Sequence, residues 1–339
     1  MSTATPHPRL TLRSPRREDL EAVTSLVNRY CRAFTGADCT SSEVISVSWS
    51  RPHFDLGTDA RVLLNEEDRI VGYCRSKNSL SPHETNDIEV AVDPDAFPEQ
   101  AMREPLSALL AWAEERARER LNLAPSDARV VNGTMVDTNE GVLRTILEET
   151  GYQEIRRLYR MTVNLPQPPQ APELPEGISV RSFADYPDFL QPYRALREAF
   201  RDHVFHVETP EEDGLASIRH RFATDSQMDP NLCVVLVDRD EIAASAVTRR
   251  ESDEDRDAGY IIGLGVRRPW RRRGLGTVLL VESFRRIYQA GKRRAMLHVD
   301  TDNITGATRV YERAGMVNDR TILILEKEIR PGRELRKMS

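Results

Sequence analysis

Apolar and polar residues follow two periods along this chain, one typical of helices and one typical of strands. Apolar positions at helical spacing predict helices over 19–32, 185–200, 277–288 and 305–313. Short apolar runs predict buried strands over 12–14, 180–182, 260–266 and 294–299. Polar turns at 65–68 and 238–240 predict hairpins over 61–73 and 233–247. This succession predicts an α/β fold with mixed sheets flanked by helices.

The second half of the chain repeats the pattern of the first. Leu12-Arg13-Ser14 and Val180-Arg181-Ser182 each open a strand that is followed by a predicted helix. Further correspondences pair Val92 with Val266, Leu109-Leu110 with Leu279-Leu280, Asn139 with Asn303, and Gly151 with Gly315. The sequence therefore indicates an internal duplication of one domain.

A proline-rich segment separates the two copies. Residues 166–177 contain five prolines, counting Pro166 and Pro175 at its ends, and such a segment forms an extended spacer. A chain of 339 residues also suits two domains better than one. We expect domains over 1–165 and 178–330, a linker over 166–177, a polar tail over 331–339 and a frayed start over 1–9.

Composition limits the class of protein. Hydrophobic residues make up 39% and charged residues 30%, and no apolar run approaches the roughly 20 residues that span a bilayer. A cytoplasmic protein without membrane contact is therefore expected. The net charge of −6 and the pI near 5.8 argue against nucleic acid as the main partner. Cys31, Cys39, Cys74 and Cys233 lack metal-ligand spacing, so we expect no metal and mostly small core or surface cysteines.

The segment 265–277 carries the clearest chemical signal. Gly274 and Gly276 lie between the predicted strand 260–266 and the predicted helix 277–288. The first amides of a helix lack partners and point outward with the positive end of its dipole, which suits a diphosphate. Glycines let such a ligand approach the main chain. The patterns of a dinucleotide-binding fold and of a nucleoside-triphosphate loop are both missing here.

This segment, together with Asn303, Tyr311, Gly315 and Met316, resembles the GNAT superfamily of acetyl-coenzyme A dependent N-acyltransferases. The likeness covers roughly residues 176–330, and the tandem arrangement is similar to mycothiol synthase-like acyltransferases. It implies two GNAT-like domains, each with a partly splayed sheet that receives the thioester of acetyl-coenzyme A. The residues it assigns to the coenzyme are Leu264, Gly265, Val266, Arg271, Arg272, Arg273, Gly274, Leu275, Gly276, Thr277 and Asn303.

The resemblance also implies roles in catalysis. Tyr311 is expected to protonate the leaving sulfur. The glutamate that often provides the base on the strand before the phosphate loop is missing, so the base remains open between His298, Tyr260, residues of the acceptor loop and water. That loop, 202–214, contains His203, His206 and Glu208 as candidate acceptor-binding residues, and its acidic composition suits a cationic amine.

The first copy lacks the residues that this chemistry needs. Glu104 and Leu106 stand opposite Gly274 and Gly276, and Leu147 stands opposite Tyr311. We therefore expect the first domain to be degenerate, without a usable cofactor loop. The predicted function is N-acetyl transfer from acetyl-coenzyme A to a primary amine of a small molecule or a peptide N-terminus, in the second half. The alternative is a non-catalytic acyl-coenzyme A sensor or scaffold whose first half docks a partner.

Overall fold

A computed structural model describes residues 10–51, 53–202, 206–301 and 306–336. The predicted frayed start at 1–9 lies outside these residues. The described part of the chain contains nine α-helices and twelve β-strands. It divides into two compact units: unit 1 comprises Met1–Ile155 with Ile324–Arg333, and unit 2 comprises Arg156–Leu323 with Glu334–Ser339.

Unit 1 contains a mixed sheet with helices packed on it. Its helices are α1 (Leu20–Thr35), α2 (Ser42–Trp49), α3 (Leu56–Asp59), α4 (Arg103–Glu119) and α5 (Gly141–Glu149). Its strands are β1 (Thr11–Arg13), β2 (Ala60–Leu64), β3 (Ile70–Asn78), β4 (Thr85–Val92) and β5 (Val130–Asp137). Strands β1 to β4 are antiparallel neighbours, and β4 and β5 pair in parallel.

Unit 2 repeats this order. Its strands are β6 (Gln153–Asn164, from residue 156 onward), β7 (Ile178–Ser182), β8 (Val234–Asp238), β9 (Glu241–Arg249), β10 (Ala258–Val266) and β11 (Arg294–Asp300). Its helices are α6 (Leu190–Phe200), α7 (Glu211–Thr224), α8 (Leu275–Gln289) and α9 (Ala307–Arg313). Strands β7 to β10 are antiparallel neighbours, β10 and β11 pair in parallel, and β11 pairs with β6. The predicted mixed sheets flanked by helices are confirmed.

Each unit contains a strand segment that comes from the other half of the sequence. Strand β6 precedes the proline-rich segment but pairs with β11 in unit 2, from Leu158 to Asn164. The final strand, β12 (Val317–Arg330), has residues 317–323 in unit 2 and 324–330 in unit 1. The compact units therefore do not coincide with the continuous halves 1–165 and 178–330 that the linker suggested. Residues 166–177 themselves form no helix or strand.

A β-bulge in β10 decides which residues face which helix. The register between β10 and β9 shifts between Ile261 and Gly263. Before the shift, a Cβ on Gly259 would lie 2.6 Å from Ile287 of α8; after it, a Cβ on Gly265 would lie 2.7 Å from Ala199 of α6. An extra residue reverses the alternation of faces, so residues of the same parity point to opposite sides of the sheet.

The cysteines differ from the expectation in one respect. Cys31 and Cys39 form a disulfide in unit 1, whereas Cys74 and Cys233 are free and buried. The spacing of Cys31 and Cys39 alone did not predict this bond. The two residues can meet because α1 ends between them and its left-handed C-cap Gly36 turns the chain back.

Helix α6 begins later than its apolar pattern predicts. The expected start was residue 185, but Phe183–Asp185 forms a 3₁₀ turn, closed by Ser182 and Asp185, and α6 begins at Leu190. Phe189 has a left-handed backbone with φ of 57°, which interrupts the helical path.

Candidate active site

Strands β10 and β11 diverge and leave a gap in unit 2. Their parallel pairing ends at Ile261 and Leu297, although β10 continues to Val266 and β11 to Asp300. The amide of Arg267 donates to the carbonyl of Ala243 on β9 at 3.0 Å. Because the direction of main-chain groups alternates along an antiparallel strand, the amides and carbonyls of Leu264 and Val266 face the gap.

One of these groups already has a partner. The Nε of Arg271 donates to the carbonyl oxygen of Val266 at 3.1 Å. The carbonyl of Val266 was expected to bind the pantetheine arm, but in this structure it already accepts a hydrogen bond from Arg271. The amide of Val266 and both main-chain groups of Leu264 remain directed at the gap.

The loop after β10 forms a concave surface of main-chain amides. Arg272 and Gly274 have left-handed backbones, with φ of 61° and 78°, and Gly274 caps the start of α8. Among the described residues, no protein group accepts a hydrogen bond from the amides of residues 272–276. A Cβ on Gly274 would meet nothing within 4 Å. Amides arranged in this way at a helix start bind anions, which is what the sequence predicted for this loop.

Most arginines of this loop are paired with acids. Arg271 and Arg268 each approach Asp202 at 2.7 Å, and Arg273 approaches Asp238 at 3.1 Å. The Nη2 of Arg271 also donates to the carbonyl of Ala199. The side chain of Arg271 therefore links the loop to the end of α6, and its contact with the diphosphate stays a prediction.

Arg272 differs from these neighbours. Its side chain is exposed, and no acidic side chain among the described residues forms an ion pair with it. It is thus the arginine of the predicted coenzyme set that is best placed to contact a phosphate.

Unit 1 has a similar gap, but its described residues form no comparable surface of amides. Pairing between β4 and β5 ends at Ile88 and Thr134, before the ends of both strands. The first turn of α4 contains Glu104 and Pro105, and proline has no amide hydrogen. Leu106, which stands opposite Gly276, is fully buried. The start of α4 therefore presents an acid and fewer donors.

Tyr311 lies on α9 within the hydrophobic core of unit 2. It is 7% exposed and packs with Leu280 and Met316. Burial raises the pKa of Tyr311 to about 12, so its hydroxyl group keeps its proton at neutral pH. Asn303, the predicted neighbour of this tyrosine in the coenzyme site, lies outside the described residues.

His298 and Tyr260 meet at the closed end of the gap. The Nδ1 of His298 lies 2.9 Å from the hydroxyl oxygen of Tyr260. Sequence reasoning named both residues as possible bases but could not show that they are in contact. It also missed the cluster of ion pairs beside them, formed by Arg160, Glu254, Asp319 and Arg320, because Arg160 lies on β6, which the linker had assigned to the other half.

Several acidic side chains of the acceptor loop form ion pairs with arginines of α6 and with the arginine that follows it. Of its candidate residues, His203 lies outside the described residues. Glu208 pairs with Arg197 at 2.9 Å and with Arg201 at 3.2 Å, and Glu211 pairs with Arg194 at 2.7 Å. Burial opposes the charge of Glu208, but the hydrogen bond from Arg197 and the charge of Arg201 lower its pKa below the usual value. Asp202, Glu208 and Glu211 are thus each paired with arginines, and the acceptor-binding role of the loop stays a prediction.

His206 is the remaining candidate of the loop. Its Nε2 lies 3.6 Å from Glu208 and is buried without a hydrogen-bond partner among the described residues. A bound acceptor is therefore one group that could complete its hydrogen bonding.

The described residues also bear on metal binding and on membrane spanning. No group of three or more His, Cys, Asp or Glu side chains in the described ranges is placed to hold a metal ion. None of the helices described here has the length and apolar character to cross a membrane.

Comparison with known proteins agrees with this geometry. Residues 192–316 match the model of the acetyltransferase (GNAT) family. The chain belongs to this family, and it is an acyltransferase that transfers acetyl groups.

Individual relatives match most of the length of this chain. A mycothiol acetyltransferase of Streptomyces coelicolor is 30% identical over 263 residues, covering 76% of each chain. A GCN5-related N-acetyltransferase from Sphaerobacter thermophilus is 29% identical, with a TM-score of 0.79 over 96% of this chain and 98% of the other. A tandem GNAT protein from the clavulanic acid biosynthesis pathway shares the fold, with a TM-score of 0.69 and 15% identity over 96% of this chain and all of the other.

Proposed function

We propose that unit 2 transfers an acetyl group from acetyl-coenzyme A to a primary amine of a small molecule or a peptide N-terminus. The observation that carries this proposal is the set of unpartnered amides over residues 272–276, which lies directly after the strand that borders the gap. The amides would bind the diphosphate, Arg272 would add a charge, and the gap would receive the pantetheine arm.

The main chain of β10 would then hold the thioester. Groups of Leu264 and Val266 that face the gap can donate to the thioester carbonyl, and such donors stabilise the negative charge that develops on its oxygen. The amine nitrogen attacks the carbonyl carbon, the carbon–sulfur bond breaks, and Tyr311 protonates the leaving sulfur. Its raised pKa keeps the required proton available.

Unit 1 is proposed to have no usable coenzyme loop, because Glu104 and Pro105 occupy the first turn of α4. We further propose a cytoplasmic enzyme that requires no metal. The names of the relatives make a precursor of mycothiol the first acceptor to test, followed by a panel of small amines and peptide N-termini.

Two measurements test the proposal. Isothermal titration of the full chain with acetyl-coenzyme A should show one site per chain, and two sites would contradict the account of unit 1. Release of free thiol should then depend on an added amine. If acetyl-coenzyme A binds but no amine in the panel accelerates thiol release, the proposed primary-amine acceptor is contradicted.

A further inference from the structure

The proposed reaction needs a proton acceptor, and β10 supplies no acid or histidine for it. None of its nine residues is Asp, Glu or His. A base provided by an acid or a histidine must therefore lie on a neighbouring strand or loop. The structure favours one of the candidate bases that the sequence left open, His298.

His298 occupies the position where the gap begins. The last paired residues of the two strands are Ile261 and Leu297. His298 directly follows Leu297, and Tyr260 directly precedes Ile261. Ala295, Leu297 and Val299 pack in the core beneath α8, so alternation along β11 places His298 on the opposite face, the side of the sheet on which α6 lies.

Among the described residues, one ring nitrogen of His298 has a hydrogen-bond partner and the other has none. Nδ1 lies 2.9 Å from the hydroxyl oxygen of Tyr260, and the two rings meet edge to face. Nε2 is buried and has no hydrogen-bond partner among the described residues. When Nδ1 carries the hydrogen and donates it to Tyr260, the lone pair of the neutral ring lies on Nε2.

Four charged side chains lie around His298, and they neutralise one another. Glu254 also acts on Tyr260, together with Asp253, Arg221 and Arg249. Arg160 of β6 contacts Glu254 of the β9–β10 loop and lies 2.7 Å from Asp319 of β12. Arg320 of β12 also pairs with Glu254, at 2.9 Å. These side chains hold the surroundings of His298 in place without adding a net charge.

The same surroundings keep His298 neutral. Burial is the main cause that lowers the pKa of His298 below its usual value of 6.5; Glu254 and Asp319 oppose this, whereas Arg160 and Arg320 add to it. At neutral pH the ring is therefore in the state that can accept a proton. Burial raises the pKa of Tyr260 to about 12, so this tyrosine is not itself a base at neutral pH.

We propose that Nε2 of His298 accepts the proton of the attacking amine and that Tyr260 is the positioning residue that holds Nδ1. The proposal rests on the acetyl transfer proposed above. The amine nitrogen bonds to the acetyl carbon and loses a proton to Nε2, while the sulfur leaves and takes the hydroxyl proton of Tyr311. Afterwards His298 releases a proton to solvent and Tyr311 regains one.

The first test compares His298→Gln with the wild-type enzyme. Wild-type kcat/KM for the amine should decline at acid pH with a midpoint below 6.5. The variant should lose this decline, and its kcat at pH 7.5 should fall about 100-fold, as expected for removal of a general base. Its affinity for acetyl-coenzyme A, measured by titration, should stay within about twofold. A variant that keeps both its rate and the acid decline overturns the proposal.

The second test addresses Tyr260. Tyr260→Phe removes the acceptor for Nδ1, so the midpoint of the acid decline should move to lower pH and kcat should fall less than in His298→Gln. Tyr288→Phe, a change to another partly buried tyrosine of unit 2, is the control and should leave the pH profile unchanged. Equal profiles for Tyr260→Phe and the wild type would remove the positioning role.

A third measurement does not depend on the folding of a variant. Nitrogen NMR of histidine-labelled wild-type protein, bound to acetyl-coenzyme A, should show His298 with its hydrogen on Nδ1 and a titration midpoint below 6.5. The opposite tautomer, or a ring protonated at pH 7.5, contradicts the proposal. A wild-type protein without amine-dependent thiol release overturns the proposed function as well, whereas an active His298→Gln overturns this inference alone.

Discussion

At the scale of single residues, the site depends on backbone angles that few side chains adopt. Gly274 has a φ of 78° and is open on all sides, so a side chain there is disfavoured by the backbone and would project into the space left for a ligand. The sequence predicted this glycine because glycine before a helix is a recognisable signal. It could not predict the left-handed Arg272, since arginine carries no such signal.

Gly274→Glu should abolish binding of acetyl-coenzyme A, because like charges brought together cost several kcal/mol, a loss of about 100-fold or more. Gly291→Glu is a matched control: Gly291 follows α8, has a φ of 89°, and is equally open. Both variants should lose about 1 kcal/mol of stability from backbone strain, measured by denaturation. Equal loss of binding in both variants would contradict the assigned anion site.

Arg272→Gly tests the contribution of the Arg272 charge to coenzyme binding separately from the effect of its left-handed backbone on stability. Glycine removes the strain of the left-handed position, so stability should be unchanged or slightly higher. Loss of a charge-assisted hydrogen bond to phosphate should weaken acetyl-coenzyme A binding about tenfold. Arg239→Gly, which also replaces an exposed arginine with a φ of 57°, controls for the backbone effect. Unchanged affinity in titrations would show that the amides alone hold the diphosphate.

At the scale of elements, the strand, loop and helix of the coenzyme site follow closely from the sequence. Strand β10 and helix α8 were expected at 260–266 and 277–288, and they extend over 258–266 and 275–289. The bulge at Ile262 was not predicted: the neighbouring Gly263 is compatible with a bulge, but the register shift itself depends on the pairing with β9. The same holds for the ion pairs of Asp202, which join segments about 65 to 70 residues apart.

Asp202 ties the end of α6 to the phosphate loop, so Asp202→Asn should disturb the acceptor side. We expect KM for the amine to rise by a factor of about 2 to 5, with the affinity for acetyl-coenzyme A changed less, since such an ion pair contributes about 1 kcal/mol or less. Glu198→Gln is the control, because Glu198 lies on α6 but pairs with Arg267. A larger effect on the coenzyme than on the amine in steady-state kinetics would contradict this role.

The Asp202 ion pairs should persist across the usual pH range. Hydrogen bonds from Arg268 and Arg271 lower the pKa of Asp202 to about 2. A carboxylate whose pKa is lowered on folding contributes its stabilisation above its unfolded value near 4 and loses it as the pH falls toward 2. Affinity for acetyl-coenzyme A should therefore show no change attributable to Asp202 between about pH 5 and 8, as titrations can check.

At the scale of the whole molecule, the internal repeat was readable but the composition of the units was not. Matching strand orders in the two units agree with the repeat that Leu12 and Val180 first indicated. The proline-rich segment suggested a boundary at 166–177. It could not reveal that β6 completes unit 2, since strand pairing depends on contacts across many residues, such as the pairing of Met161 with Leu297.

Truncation should distinguish the two boundaries. A chain of residues 166–339 lacks β6, which leaves β11 without its antiparallel neighbour and removes Met161 and Leu165 from the core. Each such core loss costs about 2 to 5 kcal/mol, comparable with the 5 to 15 kcal/mol that stabilises a typical domain. We expect 156–339 to fold and bind acetyl-coenzyme A, and 166–339 to do neither, by circular dichroism and titration. A folded 166–339 would show that β6 is dispensable.

The position of β12 also determines when unit 1 can be completed during synthesis. Unit 1 needs Ile324–Arg333, which follow Leu323 of unit 2 in the sequence, and unit 2 in turn includes Glu334–Ser339. Residues 1–155, although they are translated first, therefore cannot form all of unit 1 until this later segment has been made.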